Sequence, residues 1–271
     1  MEKIMFTIGN KRTSVWLISV ALLSIILLCG CQEKPEPVDY SYTSPRFTIA
    51  LDDNGDQQIN AALGMRNTGE DLFPADETFN AVMKLWDQSG ILRSEIKISS
   101  VQSIESDESI HLSTANWELT PGVYFIHWGT NEYGSVMGVF TVVEVEEQIS
   151  LGTAQFFPLK PAAYDVLAAS AGTIQSFSTD EYGTITLMGQ TPIPDMGHVL
   201  PLIFDANGLV EGLPSGQFAS IAEGQWRMEF PASTITLEPD VSYSVLLFTD
   251  DLSIAPSEPF VIEFSPPVTG S

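Results

Sequence analysis

Most of the chain alternates between apolar and polar residues with a period of two, which is the pattern of β-strands with one buried face. Turn sequences such as Asp53-Asn54-Gly55 and Ala206-Asn207-Gly208 separate these runs. Only the Ala-rich residues 161–171 suggest a helix, and that stretch is short. The pattern predicts an all-β protein, and its clearest runs are Ile59/Ala61/Leu63/Met65, Phe79/Ala81/Met83/Leu85, Trp226/Met228/Phe230 and Tyr243/Val245/Leu247.

The same signals occur twice along the chain. Asp87-Gln88-Ser89-Gly90 has a counterpart 118 residues later in Asp205-Ala206-Asn207-Gly208. Leu119-Thr120-Pro121 has a counterpart at the same offset in Leu237-Glu238-Pro239. A tyrosine follows each of the two L-x-P sequences, as in the tyrosine corner of immunoglobulin-like domains. An offset of this size matches a β-sandwich domain of about 100 residues and is too long for a solenoid repeat.

The repeat therefore predicts two tandem immunoglobulin-like β-sandwiches. The first is expected over residues 46–147 and the second over residues 148–271. The boundary between them is placed in the acidic stretch 144–150. Before the first sandwich, residues 32–45 are polar and contain three prolines, so they are expected to form a semi-extended tether.

Residues 1–31 have the organisation of a secretory signal. Basic residues precede an unbroken apolar run, Val15–Leu28, which is too short for a bilayer span of about 20 residues. At its end, Leu28-Cys29-Gly30-Cys31 resembles the bacterial lipobox. That resemblance implies that Cys31 becomes the lipidated first residue of the mature chain. An uncleaved anchor or an ordinary secretory signal are the alternatives.

Lipidation at Cys31 would leave the mature chain without a free thiol, because Cys29 departs with the signal. Two or more acyl chains on one residue anchor a protein firmly. In the lipoproteins that this chain resembles, Asp after the cysteine favours inner-membrane retention, and Gln32 stands there instead. The expected location is extracytoplasmic, on the cell membrane, and on the outer membrane if the host has one.

The charge balance excludes two classes of partner. The chain has 35 acidic and 11 basic residues, for a net charge of -24. Removal of the signal leaves 34 acidic and 8 basic residues, since it takes one acidic and three basic residues with it. Nucleic acid binding requires clustered Lys and Arg. Docking on anionic lipid by charge requires the same. Membrane attachment is therefore expected only through the lipid.

The first half carries a further set of residues: Asn67-Thr68-Gly69 after a strand, Leu85-Trp86-Asp87 followed by Gly90, and Trp117-x-Leu119-x-Pro121-Gly122-x-Tyr124. With these, residues 46–145 resemble the bacterial intracellular-proteinase-inhibitor domain, the BsuPI type. The resemblance implies an immunoglobulin-like fold and gives a hint of proteinase inhibition. A lipidated exported chain departs from an intracellular inhibitor.

One short segment resembles the start of a calcium loop. Asp52, Asn54 and Asp56 occupy its first, third and fifth positions. Gln57 stands where glycine is needed, and Leu63 stands where a bidentate Glu is needed. The competing interpretation is a hairpin turn around Asn-Gly. Calcium at these three residues is a weak expectation, and no other cofactor is predicted.

Other candidate chemistry is sparse. The histidines at 111, 127 and 198 have no His or Cys partner at ligand spacing. Gly134-Ser135-Val136-Met137-Gly138 lacks the G-x-S-x-G spacing of a nucleophile elbow. Trp86, Trp117, Trp128 and Trp226 are expected in core or inter-domain packing, with a carbohydrate platform as the alternative if they are exposed. Of these, Trp86 and Trp128 are the candidates for exposure.

These observations favour a non-catalytic, membrane-anchored surface lipoprotein that binds or scaffolds protein or glycan through loops or an exposed strand edge. The alternative is an extracytoplasmic proteinase inhibitor. An enzyme or a glycan-processing accessory is the third hypothesis, for which the sequence supplies no motif. The acidic runs are expected to be solvated loops, or a docking patch for a basic partner.

Overall fold

In the residues that this computed structural model describes, the regular structure consists of sixteen β-strands and one short 3-10 helix, Met196–His198. The described residues are 40–51, 57–67, 79–100, 109–131, 134–159, 161–162, 166–212, 217–222, 224–235 and 237–263. The strands are β1 (Tyr40–Leu51), β2 (Gln57–Asn67), β3 (Phe79–Asp87), β4 (Leu92–Ser100), β5 (Ser109–Trp117), β6 (Gly122–Thr130), β7 (Gly134–Val145), β8 (Gln148–Leu159), β9 (Thr173–Thr179), β10 (Ile185–Gln190), β11 (Val199–Asp205), β12 (Gly208–Gly212), β13 (Gln217–Ala222), β14 (Gln225–Phe230), β15 (Ser242–Thr249) and β16 (Phe260–Glu263).

The first half of the chain forms two antiparallel sheets with the orders β1-β2-β5 and β4-β3-β6-β7-β8. The second half forms two more, β13-β14-β10-β9 and β12-β11-β15-β16. In each half the chain crosses between its two sheets in the immunoglobulin-like manner. The prediction of an all-β protein with immunoglobulin-like sandwiches is confirmed.

The repeated motifs occupy equivalent positions in the two halves. The Asp87 carboxylate accepts hydrogen bonds from the backbone N–H groups of Ser89 (2.8 Å) and Ile91 (3.0 Å) in the β3–β4 turn. In the β11–β12 turn, Asp205 accepts from Asn207 (2.7 Å) and Gly208 (3.1 Å). Both turns are thus closed by the aspartate that begins them, which is the mechanism of an Asx turn.

Both tyrosines form the expected corner. The Tyr124 hydroxyl donates to the backbone carbonyl of Thr120 at 2.8 Å. The Tyr243 hydroxyl instead accepts from the backbone N–H of Glu238 at 2.7 Å. Each phenol therefore ties the start of its strand to the connection that precedes it, with opposite donor and acceptor roles in the two halves.

The hairpin at Glu146 and Glu147 coincides with the boundary predicted at residues 147/148. However, β8 pairs with β7 along nearly its whole length, from Val145↔Gln148 to Ser135↔Leu159. Residues 148–159 therefore belong to the sheet of the first half, and the chain passes to the second half after them. An acidic hairpin and an acidic linker have the same composition, so the sequence does not distinguish them.

The two halves pack through one sheet of each half, the five-stranded sheet of the first and the sheet β12-β11-β15-β16 of the second. An apolar cluster joins the first half to β11 and β15 of the second half, and it consists of Trp86, Val123, Phe125, Met137, Val139, Leu200, Leu202, Phe204, Leu246 and Phe248. The ring centroid of Phe125 lies 5.1 Å from those of Phe204 and Phe248. The sheets β4-β3-β6-β7-β8 and β12-β11-β15-β16 are called the inner sheets below, and the other two are the outer sheets. Asp39–Ser271 forms one compact unit.

Each half also has a core between its own inner and outer sheets. In the second half, Trp226, Met228 and Phe230 of the outer sheet pack with Val245 and Leu247 of the inner sheet. In the first half, the rings of Phe47 and Phe140 lie 4.6 Å apart between the two sheets. Every inner sheet is thus covered on both faces.

In residues 161–171, the described positions 161–162 and 166–171 contain no helix, so the weak helix candidate there is not supported. The signal, Cys31 and the tether up to residue 39 lie outside the described residues. In the described part of the chain, no helix has the length and apolar character needed to cross a membrane.

Candidate functional site

The calcium candidate formed by Asp52, Asn54 and Asp56 lies outside the described residues. Elsewhere in the described part of the chain, no three His, Cys, Asp or Glu side chains come together as a metal site.

The structure brings His127 and Ser135 together. The His127 Nε2 and the Ser135 Oγ are 2.8 Å apart, on neighbouring strands of the inner sheet. Burial and the positive charge of Lys84 lower the pKa of His127, the Asp251 carboxylate raises it, and the net pKa is about 3. The imidazole is therefore neutral at physiological pH.

A serine, a histidine and an aspartate in one cluster raise the question of a catalytic triad. Ser135 is only 2% exposed, and it lies in the layer between the two inner sheets. The Asp251 carboxylate is held by the side chains of Asn131 and Ser253, at 2.6 Å and 2.7 Å. A substrate cannot reach this hydroxyl without separating the halves, so the cluster is suited to packing rather than to nucleophilic catalysis.

The other two histidines are apart from this cluster. His111 lies on β5, in register with Gly64 of β2. His198 ends the 3-10 helix, and its Nδ1 pairs with the buried carboxylate of Asp250. A second carboxylate, from Asp195, is 3.9 Å from its Nε2.

The four tryptophans in the described part of the chain are buried and do not form an exposed platform. Trp128 and Trp226 are fully buried, and Trp86 and Trp117 are each 6% exposed. The prediction that Trp86 or Trp128 is exposed is wrong. Trp128 faces the core of the first half, and the face of the sheet that carries Trp86 is covered by the second half.

Trp117 lies at the end of the edge strand β5. Its indole Nε1 is shielded from solvent and has no hydrogen-bond partner within the described residues. A buried N–H group left without a partner costs about 1–3 kcal/mol. Most such groups in folded proteins are paired, so each exception asks for an explanation.

Trp117 lines a cleft of about 790 Å³ on the side of the first sandwich where β4 and β5 are the sheet edges. The buried side chains of Leu85, Leu119 and Tyr124 form its apolar part together with the indole. Its polar part is formed by Gln58, Arg93, Ser94, Asn116, Glu118 and Thr120. The volume falls in the range of about 300–1,000 Å³ that ligand sites commonly have.

Two smaller cavities contrast with this cleft. One of about 470 Å³ lies in the second half and is lined by small and amide residues such as Ser170, Thr173 and Gln190. Another of about 330 Å³ lies between the halves, next to Lys84 and Asn131. Neither has an unpartnered buried donor among its described lining residues.

The two edges of the first inner sheet differ in charge. On β4, Arg93, Glu95 and Lys97 alternate with other residues. Such charges are a usual protection of edge strands against unwanted pairing. β8, at the opposite edge, is 12 residues long and contains no charged residue. It is the longest strand without a charged residue among the described strands at sheet edges.

Residues 152–155 in the middle of β8 are exposed, and no described strand pairs with the outer side of β8. The hairpin before it carries the exposed carboxylates of Glu144, Glu146 and Glu147. The fold therefore presents a long, uncharged strand edge that begins beside a cluster of negative charge.

No family model matches the chain, and no curated protein matches it. Among solved structures it is similar to the BSP domain of a biofilm associated protein, at 12% identity and a TM-score of 0.23, covering 85% of this chain and 30% of that one. It is also similar to the exo-chitosanase CsxA of Amycolatopsis orientalis, at 10% identity and a TM-score of 0.23, covering 80% of this chain and 26% of that one. The chain spans less than a third of either, and neither likeness bears on activity.

Proposed function

We propose that the protein is a non-catalytic, extracytoplasmic lipoprotein, anchored through lipid on Cys31, that binds a partner protein along the outer edge of β8. The uncharged, exposed edge of β8 is the observation that carries this proposal. An extended segment of a partner would add to the sheet as a further strand, with main-chain hydrogen bonds supplying the affinity.

The charge of the chain indicates what kind of segment fits. The net charge is -24, and three exposed glutamates lie at the start of β8. These charges attract a segment rich in Lys and Arg. They also oppose the pairing of β8 with β8 of a second copy, since two copies repel each other. The proposed occupant is therefore a basic, extended segment of another protein.

The anchor is tested by metabolic labelling with an alkyne analogue of palmitate in a bacterium that expresses the full chain. We expect labelling of the natural chain and of Cys29→Ala, and loss of labelling in Cys31→Ala. Label that persists in Cys31→Ala would exclude the proposed attachment site.

The strand edge is tested by selection from a displayed library of random peptides against the full chain in detergent. We expect enrichment of peptides that alternate β-branched or aromatic residues with Lys or Arg. Gln155→Lys places a charge on the exposed part of β8 and should weaken the selected peptides at least about tenfold. Gln175→Lys is the matched control, because Gln175 is an exposed glutamine on β9, an edge strand of an outer sheet.

Equal effects of the two substitutions, or no enrichment, would argue against binding at β8. The same purified chain should be assayed against a panel of proteases, because the alternative hypothesis is an extracytoplasmic proteinase inhibitor. Inhibition of a protease at stoichiometric concentration would replace the strand-edge proposal by that alternative.

A further inference from the structure

We propose that the cleft between β4 and β5 binds a neutral oligosaccharide. This site is separate from the outer edge of β8, which lies at the opposite side of the same sheet. The inference does not depend on the function proposed above.

The first observation is the indole of Trp117. Its Nε1–H is buried and has no partner among the described residues, and its ring lines the cleft. A ligand with a hydrogen-bond acceptor would supply the missing partner. Because tryptophan combines a large apolar surface with one donor, it suits a ligand that has both C–H faces and hydroxyl groups. Sugar rings have both.

The second observation is the kind of polar group that surrounds the indole. Gln58 and Asn116 contribute side-chain amides, and Ser94 and Thr120 contribute hydroxyls. Each of these groups both donates and accepts hydrogen bonds. A ligand covered with hydroxyl groups, which also donate and accept, can satisfy them in pairs.

The third observation is the charge at the cleft. Among the described residues that line it, Arg93 is the one cation. Its guanidinium is already paired with the Asp87 carboxylate, with Nε and Nη2 at 2.7 Å and 2.6 Å from Oδ2. Glu118 adds a negative charge, and the whole chain carries -24. An anionic ligand would therefore be repelled, and no described lining residue offers an unpaired positive group to offset this.

The test uses the full chain in a detergent that contains no sugar. Its binding is measured on an array of neutral and acidic glycans, followed by titration with the neutral oligosaccharides that bind. In a ¹H–¹⁵N spectrum the indole signal of Trp117 is identified by its absence in Trp117→Phe. We expect this signal to shift on binding, while the indole signals of Trp128 and Trp226, which do not line the cleft, remain in place.

Substitutions at the cleft sharpen the test. Trp117→Phe removes the donor and retains an aromatic ring, and it should weaken binding about tenfold. Asn116→Ala and Gln58→Ala should each weaken it about three- to tenfold without lowering the thermal midpoint. Gln225→Ala is the matched control, since Gln225 is an exposed amide that lines the cavity in the second half and should bind like the natural chain.

Binding that is specific for neutral glycans and is reduced by Asn116→Ala and Gln58→Ala would support the proposal. A second arm of the experiment measures binding of soluble neutral polysaccharides. Tighter binding of the polymer than of short chains assigns the polymer as the ligand. Equal binding assigns the free oligosaccharide. The proposal would be overturned if no neutral glycan binds, if acidic glycans bind in preference, or if the cleft variants bind like Gln225→Ala.

Discussion

The inner and outer sheets are built from similar strands but have different surroundings. β14 of an outer sheet alternates strictly between exposed and buried positions at its first four residues. β6 of an inner sheet is buried at eight of its nine positions. The difference arises because the second face of the inner sheet is covered by the other half of the molecule. Alternation thus identifies the core face of a strand only where the opposite face meets water.

The substitution of Phe125 with alanine is the strongest test of this difference between inner and outer sheets. Phe125 is fully buried between the halves, although it occupies the face that would meet water in a single sandwich. We expect Phe125→Ala to lower the free energy of unfolding by about 3–5 kcal/mol, which is the usual loss for a core phenylalanine. Urea denaturation followed by circular dichroism measures it.

Met188→Ala provides the control for this change. Met188 lies on β10 of an outer sheet and is 39% exposed, on the face that meets water. Its truncation should change the free energy of unfolding by less than about 0.5 kcal/mol. Similar small losses at both positions would mean that the packing between the halves contributes little to stability.

The second prediction uses acid to probe the same layer. His127 has a pKa of about 3 in the folded protein, against an ordinary value of 6.5 for histidine. Below pH 6.5 the unfolded chain binds a proton that the folded chain does not. The natural protein should therefore lose stability as the pH falls from 6.5 toward 3, by up to about 1.4 kcal/mol per pH unit from this group. Above pH 6.5 the group contributes no pH dependence.

His127→Gln isolates this effect from that of the many carboxylates. The variant lacks the titrating group, so the difference in unfolding free energy between natural chain and variant should fall with that slope between pH 6.5 and 4. Urea titrations at several pH values give the difference. A constant difference would show that His127 titrates normally and hence that the layer between the halves admits water.

The third prediction concerns the hairpin that adds β8 to one inner sheet. Glu146 and Glu147 both have positive φ, at 53° and 65°. Hairpin turns with two positive φ values favour Asn-Gly, since other residues are strained there. Glu146→Asn combined with Glu147→Gly should raise the free energy of unfolding by about 1–2 kcal/mol. An unchanged thermal midpoint would show that the backbone at Glu146 and Glu147 is not strained.

The smallest expected effect compares the two tyrosine corners. Tyr124→Phe and Tyr243→Phe each remove one hydrogen bond to the backbone. Each should lower the free energy of unfolding by about 1 kcal/mol. Tyr243→Phe should have the larger effect, because it leaves the N–H of Glu238 without its acceptor. In Tyr124→Phe the Thr120 carbonyl oxygen loses one donor, but a carbonyl has two lone pairs and can accept from other donors. Equal losses of unfolding free energy would show that the two tyrosine corners contribute equally to stability.

The sequence was informative about the fold for a physical reason. The outer strands and the cores keep the period of two, as at Trp226, Met228 and Phe230, and the D-x-x-G and L-x-P-Tyr signals mark short-range hydrogen bonds. The pairing of β8 with β7 was not predictable, because an edge strand and a linker after an acidic turn have similar local sequence. The burial of Trp86 depends on the second half, which no local pattern encodes.

The candidate sites were less accessible to sequence analysis. The cleft collects Gln58, Arg93 and Trp117 from three strands that are far apart in the chain, so no motif of fixed spacing exists. The missing partner of the Trp117 indole is a property of its surroundings. Likewise, the absence of charge on β8 acquires meaning only once the strand order places β8 at an edge. A scan for long uncharged strands would have found the segment but not its position.

The contacts of two turn glycines show how the inner sheets meet. A Cβ on Gly90, in the turn after β3, would lie 3.0 Å from the carbonyl oxygen of Ser257 in the second half. A Cβ on Gly208, in the equivalent turn of the second half, would lie 2.7 Å from the Thr153 hydroxyl in the first half. Equivalent turns of the two halves thus each contact the other half. Because both halves belong to one polypeptide, their association is intramolecular and proceeds at a fixed effective concentration, independent of how dilute the protein is.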